Sequence, residues 1–395
     1  MVLETFFRKP SGLEAFFIDL DECGCNMTFH FYLKLNKEPS VAEINIALRR
    51  VLETHSGLNL KYVNDGWHKS DYIPECDVRH IDGADLYSYK PTRIDFRKHT
   101  IAANVLHMVN KDEWHLCFDF FHGAVDGRSG IQFIYDFFDI LNGNQLIKNE
   151  FGLSDRDIVG TDDKTIENPK KIPFTVFPKC NSAELEPRKN GEASFHVMKH
   201  DVCVRSLAAK LSWAVGQCFS KKSAKMIIPV DVRRFAGNKE KAFYGNLFIP
   251  AFVDVATLNT VDELRGEIVD YVKQQPLLNR IAKNLSIYSK ISPKIRKAII
   301  SFFIPIVMSN KRFIYCALVS PLGVIDSQRL VSENIKVEDV SVTFATFPFT
   351  AFNVISLQYD GHTKTTVAWN KGRVSDKTAS KLICNIENCM SEKNM

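Results

Sequence analysis

Alternation and helical spacing divide the chain into two stretches of strand-and-helix pattern around a long polar segment. Residues 27–35 alternate and are rich in aromatics, which predicts a strand. Ser40 stands at a helix-cap position. Val41, Ile44, Ala47, Leu48, Val51 and Leu52 then fall at helical spacing, predicting a helix over 41–54. A short strand is expected over 58–63, then a turn at Asn64-Asp65-Gly66, after which Trp67 resumes the chain. Residues 101–109 and 113–121 predict a β-hairpin across Asn110-Lys111-Asp112. In its second strand Trp114, Leu116, Phe118 and Phe120 share one face, and His115, Cys117, Asp119 and Phe121 share the other, because strand side chains alternate. That strand ends at His122. A helix over about 128–141 follows, with Ile131, Ile134, Tyr135, Phe138 and Leu141 on its apolar side.

Residues 142–192 are polar, with scattered Pro, Gly, Asp and Lys, and read as a crossover. The second half repeats the pattern. Strands are expected over 193–198, 224–232, 246–255, 312–319, 352–359 and 364–370, and helices over 202–219, 261–275 and from about 375. Hairpins mixed with helices predict an α+β class, a mixed α/β sandwich. The expected division is 1–145 as an N-terminal lobe, 146–192 as crossover linker and 193–395 as a C-terminal lobe.

Composition narrows the function classes. Hydrophobic residues make up 45% of the 395 and charged residues 25%, which excludes a disordered tail, a collagen-like fibre and a low-complexity scaffold. There are 29 Phe against 4 Trp and 11 Tyr, a bias suited to wide interiors and apolar pockets. A net charge of +5 is small for this length and argues against nucleic acid as a partner. Ten cysteines without a Cys-x-x-Cys pair make neither a disulfide scaffold nor a zinc site. Cys23-Gly24-Cys25 stands alone, and His107 and His115 match no zinc spacing, so no metal is expected. Reduced thiols and a start (Met1-Val2-Leu3-Glu4-Thr5) without a basic-then-apolar leader point to a cytoplasmic location. The longest apolar run, 298–308, is broken by Ser301 and Pro305 and is shorter than the ~20 residues of a membrane span. Lys290, Lys294, Arg296 and Lys297 precede it, so it reads either as a buried helix or pocket wall, the favoured expectation, or as a helix lying at a membrane surface.

The chemistry concentrates at 118–127, Phe-Asp-Phe-Phe-His-Gly-Ala-Val-Asp-Gly. An apolar strand delivers His122 into a turn of small residues, where Gly123 and Ala124 allow close approach of other backbone or a ligand. An imidazole with an ordinary pKa of ~6.5 is available as a neutral general base at cellular pH. Asp126 can hold the turn through backbone N–H groups or an arginine. The competing reading is a purely structural histidine beside a turn.

The His122-x-x-x-Asp126-Gly127 arrangement at a strand end resembles the signature of the CoA-dependent acyltransferase superfamily, which includes chloramphenicol acetyltransferase, alcohol acetyltransferases, wax-ester-type acyltransferases and nonribosomal peptide condensation domains. Further similarities follow in order. Thr54-His55-Ser56-Gly57-Leu58 resembles the end of the family's N-terminal helix, Ile228-Pro229-Val230-Asp231-Val232-Arg233 its Pro-Val-Asn/Asp-Leu-Arg strand, and Tyr244-Gly245-Asn246-Leu247 its Phe/Tyr-Gly-Asn element. Val319-Ser320-Pro321-Leu322-Gly323 resembles the late Ser-Asn-x-Gly segment, and Tyr359-Asp360-Gly361 the last hairpin turn, so the resemblance spans about residues 10–390. Three positions depart from the pattern. Phe121 replaces the first of a tandem His-His, Asn59 replaces an arginine that pairs with the motif aspartate in relatives, and Ser320-Pro321 replaces Ser-Asn.

The resemblance implies two chloramphenicol-acetyltransferase-like lobes in one chain with an active-site tunnel between them. It implies acyl transfer from a thioester to a hydroxyl or amine. His122 would be the general base and Asp126 a structural anchor, with Arg233 as its partner and Gly245 as support. Gly127, Asn246 and Ser320 would meet substrate or the oxyanion. No permanently bound cofactor is implied. Acyl-CoA is the co-substrate and a small molecule the acceptor, with an acyl carrier protein as the alternative donor and a non-catalytic binding protein as the alternative class. A monomer without a transmembrane segment is expected. Lys221, Lys222 and Lys225 form a small basic cluster that reads as solvated surface.

Overall fold

The computed structural model describes residues 6–391 apart from 56, 84, 90–92, 148–153, 160–192, 220–223, 237–243, 274, 310–312, 345 and 372. One sheet has the order β12-β2-β7-β6-β5, from β2 (Thr28–Leu35), β5 (Asp77–Ile81), β6 (Ile101–Met108), β7 (Glu113–Phe121) and β12 (Val337–Phe344). A second has the order β10-β9-β11-β13-β14-β8, from β8 (Ala193–His200), β9 (Lys225–Asp231), β10 (Phe248–Asp254), β11 (Tyr315–Ile325), β13 (Thr350–Tyr359) and β14 (His362–Asn370). A small third sheet joins β1 (Phe6–Arg8), β4 (Gly66–Lys69) and β3 (Leu60–Val63). The helices are α1 (Gly12–Glu22), α2 (Val41–Thr54), α3 (Gly127–Leu141), α4 (Asp155–Val159), α5 (Leu207–Gly216), α6 (Val261–Lys273), α7 (Gln275–Lys290), α8 (Pro293–Ser309) and α9 (Asp376–Ser391). The class is α+β, as the patterning predicts. Most of the expected crossover, 148–153 and 160–192, lies outside the described residues, as do Lys221 and Lys222; Lys225 is buried in β9.

Local chemistry accounts for the elements. Ser40 accepts from the Glu43 amide at 3.3 Å and starts α2 where the sequence places it. The β6–β7 hairpin turns at Asp112, whose backbone is left-handed (φ +49°), a conformation that aspartate tolerates. Phe118 on the inner face of β7 meets Phe133 and Phe137 of α3 edge-on, with ring centroids 5.2 and 5.0 Å apart. One apolar core lies between the first sheet and α1, α2 and α3, and a second joins the other sheet to α5 and α9.

Besides β1, β4, α4 and α7, three further elements have no counterpart in the sequence reading. α1 begins with a capping box, in which the Ser11 hydroxyl accepts from the Glu14 amide and the Glu14 carboxylate from the Ser11 amide. β5 is an edge strand parallel to β6. β12 leaves the second half of the chain and adds to the first sheet beside β2, pairing Phe344 with Phe29. The chain thus runs from β11 in one sheet to β12 in the other and back to β13, which ties the two sheets together and delivers Phe344 to the site described below.

The other face of β7 is buried too. His115 has neither ring nitrogen hydrogen-bonded among the described residues, and burial pushes its pKa down to about 4 against the pull of Glu113, whose Oε2 lies 3.7 Å away. Since the folded pKa lies below the unfolded ~6.5, protonation favours the unfolded chain. The stabilising contribution of neutral His115 is complete above pH 6.5 and is lost as pH falls toward 4. Urea unfolding should therefore show about 3 kcal/mol lost from this group between pH 7 and pH 4, and His115→Leu should lose that much less over the same range. Equal slopes for the two proteins would count against it.

Candidate active site

The turn after β7 is built by backbone bonds and one steric demand. The His122 amide donates to the Met27 carbonyl at 2.8 Å, and the Ala124 and Val125 amides return to the Phe121 carbonyl at 3.0 and 3.1 Å. A Cβ on Gly123 would lie 2.3 Å from the Phe121 ring, so the turn admits only glycine without repacking. The His122 ring is held in a cage of four phenylalanines. It stacks on Phe17 of α1 at 4.6 Å between centroids, with Phe29 and Phe344 each at 5.2 Å and Phe248 at 5.8 Å. Burial in this cage lowers the His122 pKa, outweighing the opposite pull of its own carbonyl and of Asp126. The imidazole is neutral at pH 7 and equipped to take a proton.

Asp126 is fully engaged by the groups around the turn. It caps α3, its Oδ1 accepting from the Ser129 amide at 2.8 Å. The Arg233 Nη2 donates to Oδ1 and Oδ2 at 2.9 and 3.0 Å, and the Leu247 amide donates to Oδ2 at 2.7 Å. Arg233, just past β9, also bonds Asp231 at 2.9 Å and the Ser129 hydroxyl at 2.7 Å. Asp126 is thus paired with an arginine from the other half of the chain, while Asn59 donates to the Ser70 carbonyl at 2.7 Å.

The 244–247 segment clamps the turn from the second side. Gly245 adopts φ +148°, and its carbonyl accepts from the Asp126 amide at 3.2 Å and the Ser129 hydroxyl at 2.8 Å. Asn246, expected at the substrate or oxyanion, instead donates from Nδ2 to the His122 carbonyl at 2.6 Å and does not line the cavity. It positions the histidine backbone.

His122 opens on a cavity of about 410 Å³ between the two large sheets. Phe29, Phe248, Val342, Phe344 and Ile355 supply apolar wall, while Gly127 and Ser320 line it from the start of α3 and from β11. Arg128, Arg233 and Arg234 line it as well, and Arg128 and Arg234 are exposed. A neutral imidazole, an apolar chamber, a serine hydroxyl and a set of guanidinium groups therefore share one space.

Two groupings escaped the sequence reading. His55 Nε2 lies 2.9 Å from Asp136 Oδ2, Gln132 donates to Oδ1 at 2.8 Å, and the Tyr244 hydroxyl bonds the same carboxylate, joining the end of α2, α3 and the 244–247 segment. The matches at Thr54-His55 and Tyr244-Gly245-Asn246 flag two members, but Asp136 carries no local signal. On the outer side of the first sheet His30, Cys117 and Asp119 bring three ligand-type atoms within 4.8 Å of one another. Asp119 already accepts from His30 at 2.6 Å, Asn104 at 3.1 Å and the Cys117 thiol at 3.3 Å. Burial raises the thiol pKa well above its ordinary value, so the Cys117 thiol stays protonated and donates within the cluster. His107 and His115 occupy opposite faces of the hairpin, His107 opposite Trp114 and His115 opposite Leu106.

By sequence, no protein-family model and no curated protein matches the chain. Solved structures do match it in shape. Polyketide synthase associated protein 5 from Mycobacterium tuberculosis aligns over 100% of both chains at 14% identity with a TM-score of 0.62. The trichothecene 15-O-acetyltransferase from Fusarium sporotrichioides aligns over 97% of this chain and 94% of its own, at 12% identity and a TM-score of 0.60. The chain has the two-lobed fold of the CoA-dependent acyltransferases and condensation domains. The starter condensation domain of rhizomide synthetase, solved with C8-CoA and Leu-SNAC, shares it over 98% of this chain and 94% of its own, at 10% identity and a TM-score of 0.60. In this acyltransferase-like fold His122 sits at the seam between sheets, where both halves of the chain contribute to one chamber.

Proposed function

We propose that the protein is an acyltransferase that moves an acyl group from a CoA thioester to a hydroxyl or amine acceptor, with His122 as general base. The observation that carries this reading is the neutral imidazole of His122 opening on an apolar chamber that also holds guanidinium groups. The acceptor O–H or N–H gives its proton to His122 while its oxygen or nitrogen attacks the thioester carbonyl carbon. The tetrahedral intermediate collapses, the carbon–sulfur bond breaks, and the departing thiolate takes the proton back from the imidazolium. The products are an ester or amide and free CoA thiol, with no acyl-enzyme needed. Ser320 is the cavity hydroxyl suited to donate to the oxyanion. Arg128 and Arg234, exposed at the cavity wall, suit the phosphates of CoA. Phe29, Phe248 and Phe344 suit the acyl chain. A carrier-protein thioester presents the same reacting atoms, and the condensation domains that share the fold favour it as the second reading.

The test is thiol release from a panel of acyl-CoAs, each with mixed alcohol and amine acceptors. Acceptor-dependent release with a ranked donor preference is expected. No release from any CoA by folded protein, with turnover of a carrier-bound thioester, would transfer the assignment to the second reading.

A further inference from the structure

α8 is packed by one face only. Arg296, Ile300 and Val307 turn inward and are buried, with Arg296 Nε donating to Asp19 Oδ2 at 2.9 Å and the Tyr288 hydroxyl donating to the same oxygen at 2.6 Å. The outward face should then be polar, as on any helix that lies against a core. It is not. Ile295, Ile299 and Phe302 follow one another at the spacing of a single stripe, with Phe303 beside them. Phe302 is 66% exposed, Ile295 55% and Phe303 47%, and Ile287 at the end of α7 is 56% exposed. Single exposed apolar residues are ordinary, but a contiguous patch with two phenylalanines marks an interaction surface. The expectation of a buried helix therefore holds for the inner face of this segment and fails for the outer one.

Charge identifies the partner. Over 271–325 the sequence holds nine lysines and arginines and not one aspartate or glutamate, in a chain whose total charge is only +5. Lys290, Lys294 and Lys297 are exposed around the first turns of α8. Lys297 lies 3.4 Å from Glu22, which offsets part of its charge. A second copy of this chain on the stripe would bring two such basic segments face to face. An anionic lipid surface complements both features, since acyl chains accept the phenylalanines and headgroups meet the lysines. No helix among the described residues is long and apolar enough to cross a membrane. We propose that α8 lies in the interface of an anionic bilayer, inserting Ile295, Ile299, Phe302 and Phe303 below the headgroups. The proposal stands apart from acyl transfer and is tested without it.

The full chain should co-sediment with phosphatidylcholine vesicles containing a third of phosphatidylglycerol at least about tenfold more strongly than with phosphatidylcholine alone in 0.1 M salt. Phe302→Ser/Phe303→Ser should weaken that binding by about tenfold or more while leaving thermal unfolding unchanged, because both rings are exposed. Lys290→Glu/Lys294→Glu should weaken it by about fivefold per charge removed. Failure of folded wild-type protein to bind anionic vesicles overturns the proposal, as does binding that the phenylalanine variant leaves intact. Concentration-dependent dimerisation abolished in that variant would assign the stripe to a second copy and overturn it equally.

Discussion

His122→Ala should lower acyl transfer by about 100- to 10,000-fold, which corresponds to ~3–5 kcal/mol of transition-state stabilisation. The size follows from what the ring does and from what is left when it is gone. The chamber, its arginines and Ser320 still bind and orient both substrates, so a residual rate persists. What disappears is a neutral base whose pKa burial holds below its ordinary value. For the wild type the rate should already be level at pH 7 and should fall only as pH drops below about 6.5, when the imidazole takes a proton before the acceptor can supply one. The alanine variant lacks that acid limb. Since His122 stacks on Phe17, removing its ring also loosens packing, and His122→Gln keeps most of the volume without a usable base. Both variants should be slow, and the glutamine variant should unfold closer to wild type. Thiol release within about threefold of wild type in either would remove His122 from the reaction.

The first half of the chain was the more legible in sequence because its elements carry their own punctuation. Ser40 caps α2, Asp112 turns the hairpin, and β7 alternates through to Phe121. The motif turn was readable for the same reason, as small residues between a strand and a helix leave few local options. The second sheet was readable strand by strand but not in its order, since nothing local in β11 or β13 says that they lie parallel with β12 gone to the other sheet. β12, Val-Glu-Asp-Val-Ser-Val-Thr-Phe, carries two adjacent acidic residues after its first valine at an edge, which masks its alternation. The cage around His122 shows the limit best. Phe29 and Phe248 lie on strands that the pattern predicts, but Phe17 and Phe344 lie on α1 and β12, which it does not. Among 29 phenylalanines, nothing local distinguishes those that cage His122 from those that fill the core.

Asp126→Ala should destabilise the fold by about 3–5 kcal/mol and slow turnover, although Asp126 touches no reacting atom in the proposed mechanism. Its carboxylate caps α3, receives Arg233 from the other half of the chain and accepts the Leu247 amide next to Asn246, the residue that holds the His122 carbonyl. Removing it leaves a largely buried guanidinium with Asp231 as its one remaining carboxylate partner among the described residues, and leaves the Leu247 amide unmatched. Asp126→Asn keeps the shape but sets a donor where two donors arrive, so it should fall between alanine and wild type. Arg233→Leu leaves the carboxylate behind and should cost about as much. The double variant Asp126→Ala/Arg233→Leu removes both charges, so its loss should be smaller than the sum of the singles by about 1–3 kcal/mol in urea unfolding. Strict additivity would show that the pair does not join the two halves. The acid limb of the rate distinguishes positioning from proton transfer. Asp126 raises the His122 pKa through its charge, so in Asp126→Asn the limb should move to lower pH while the plateau rate drops. A limb displaced to higher pH would mean that the aspartate's charge does not act on the imidazole as its position requires, and a plateau left at the wild-type rate would mean that the clamp around the turn has no part in holding His122.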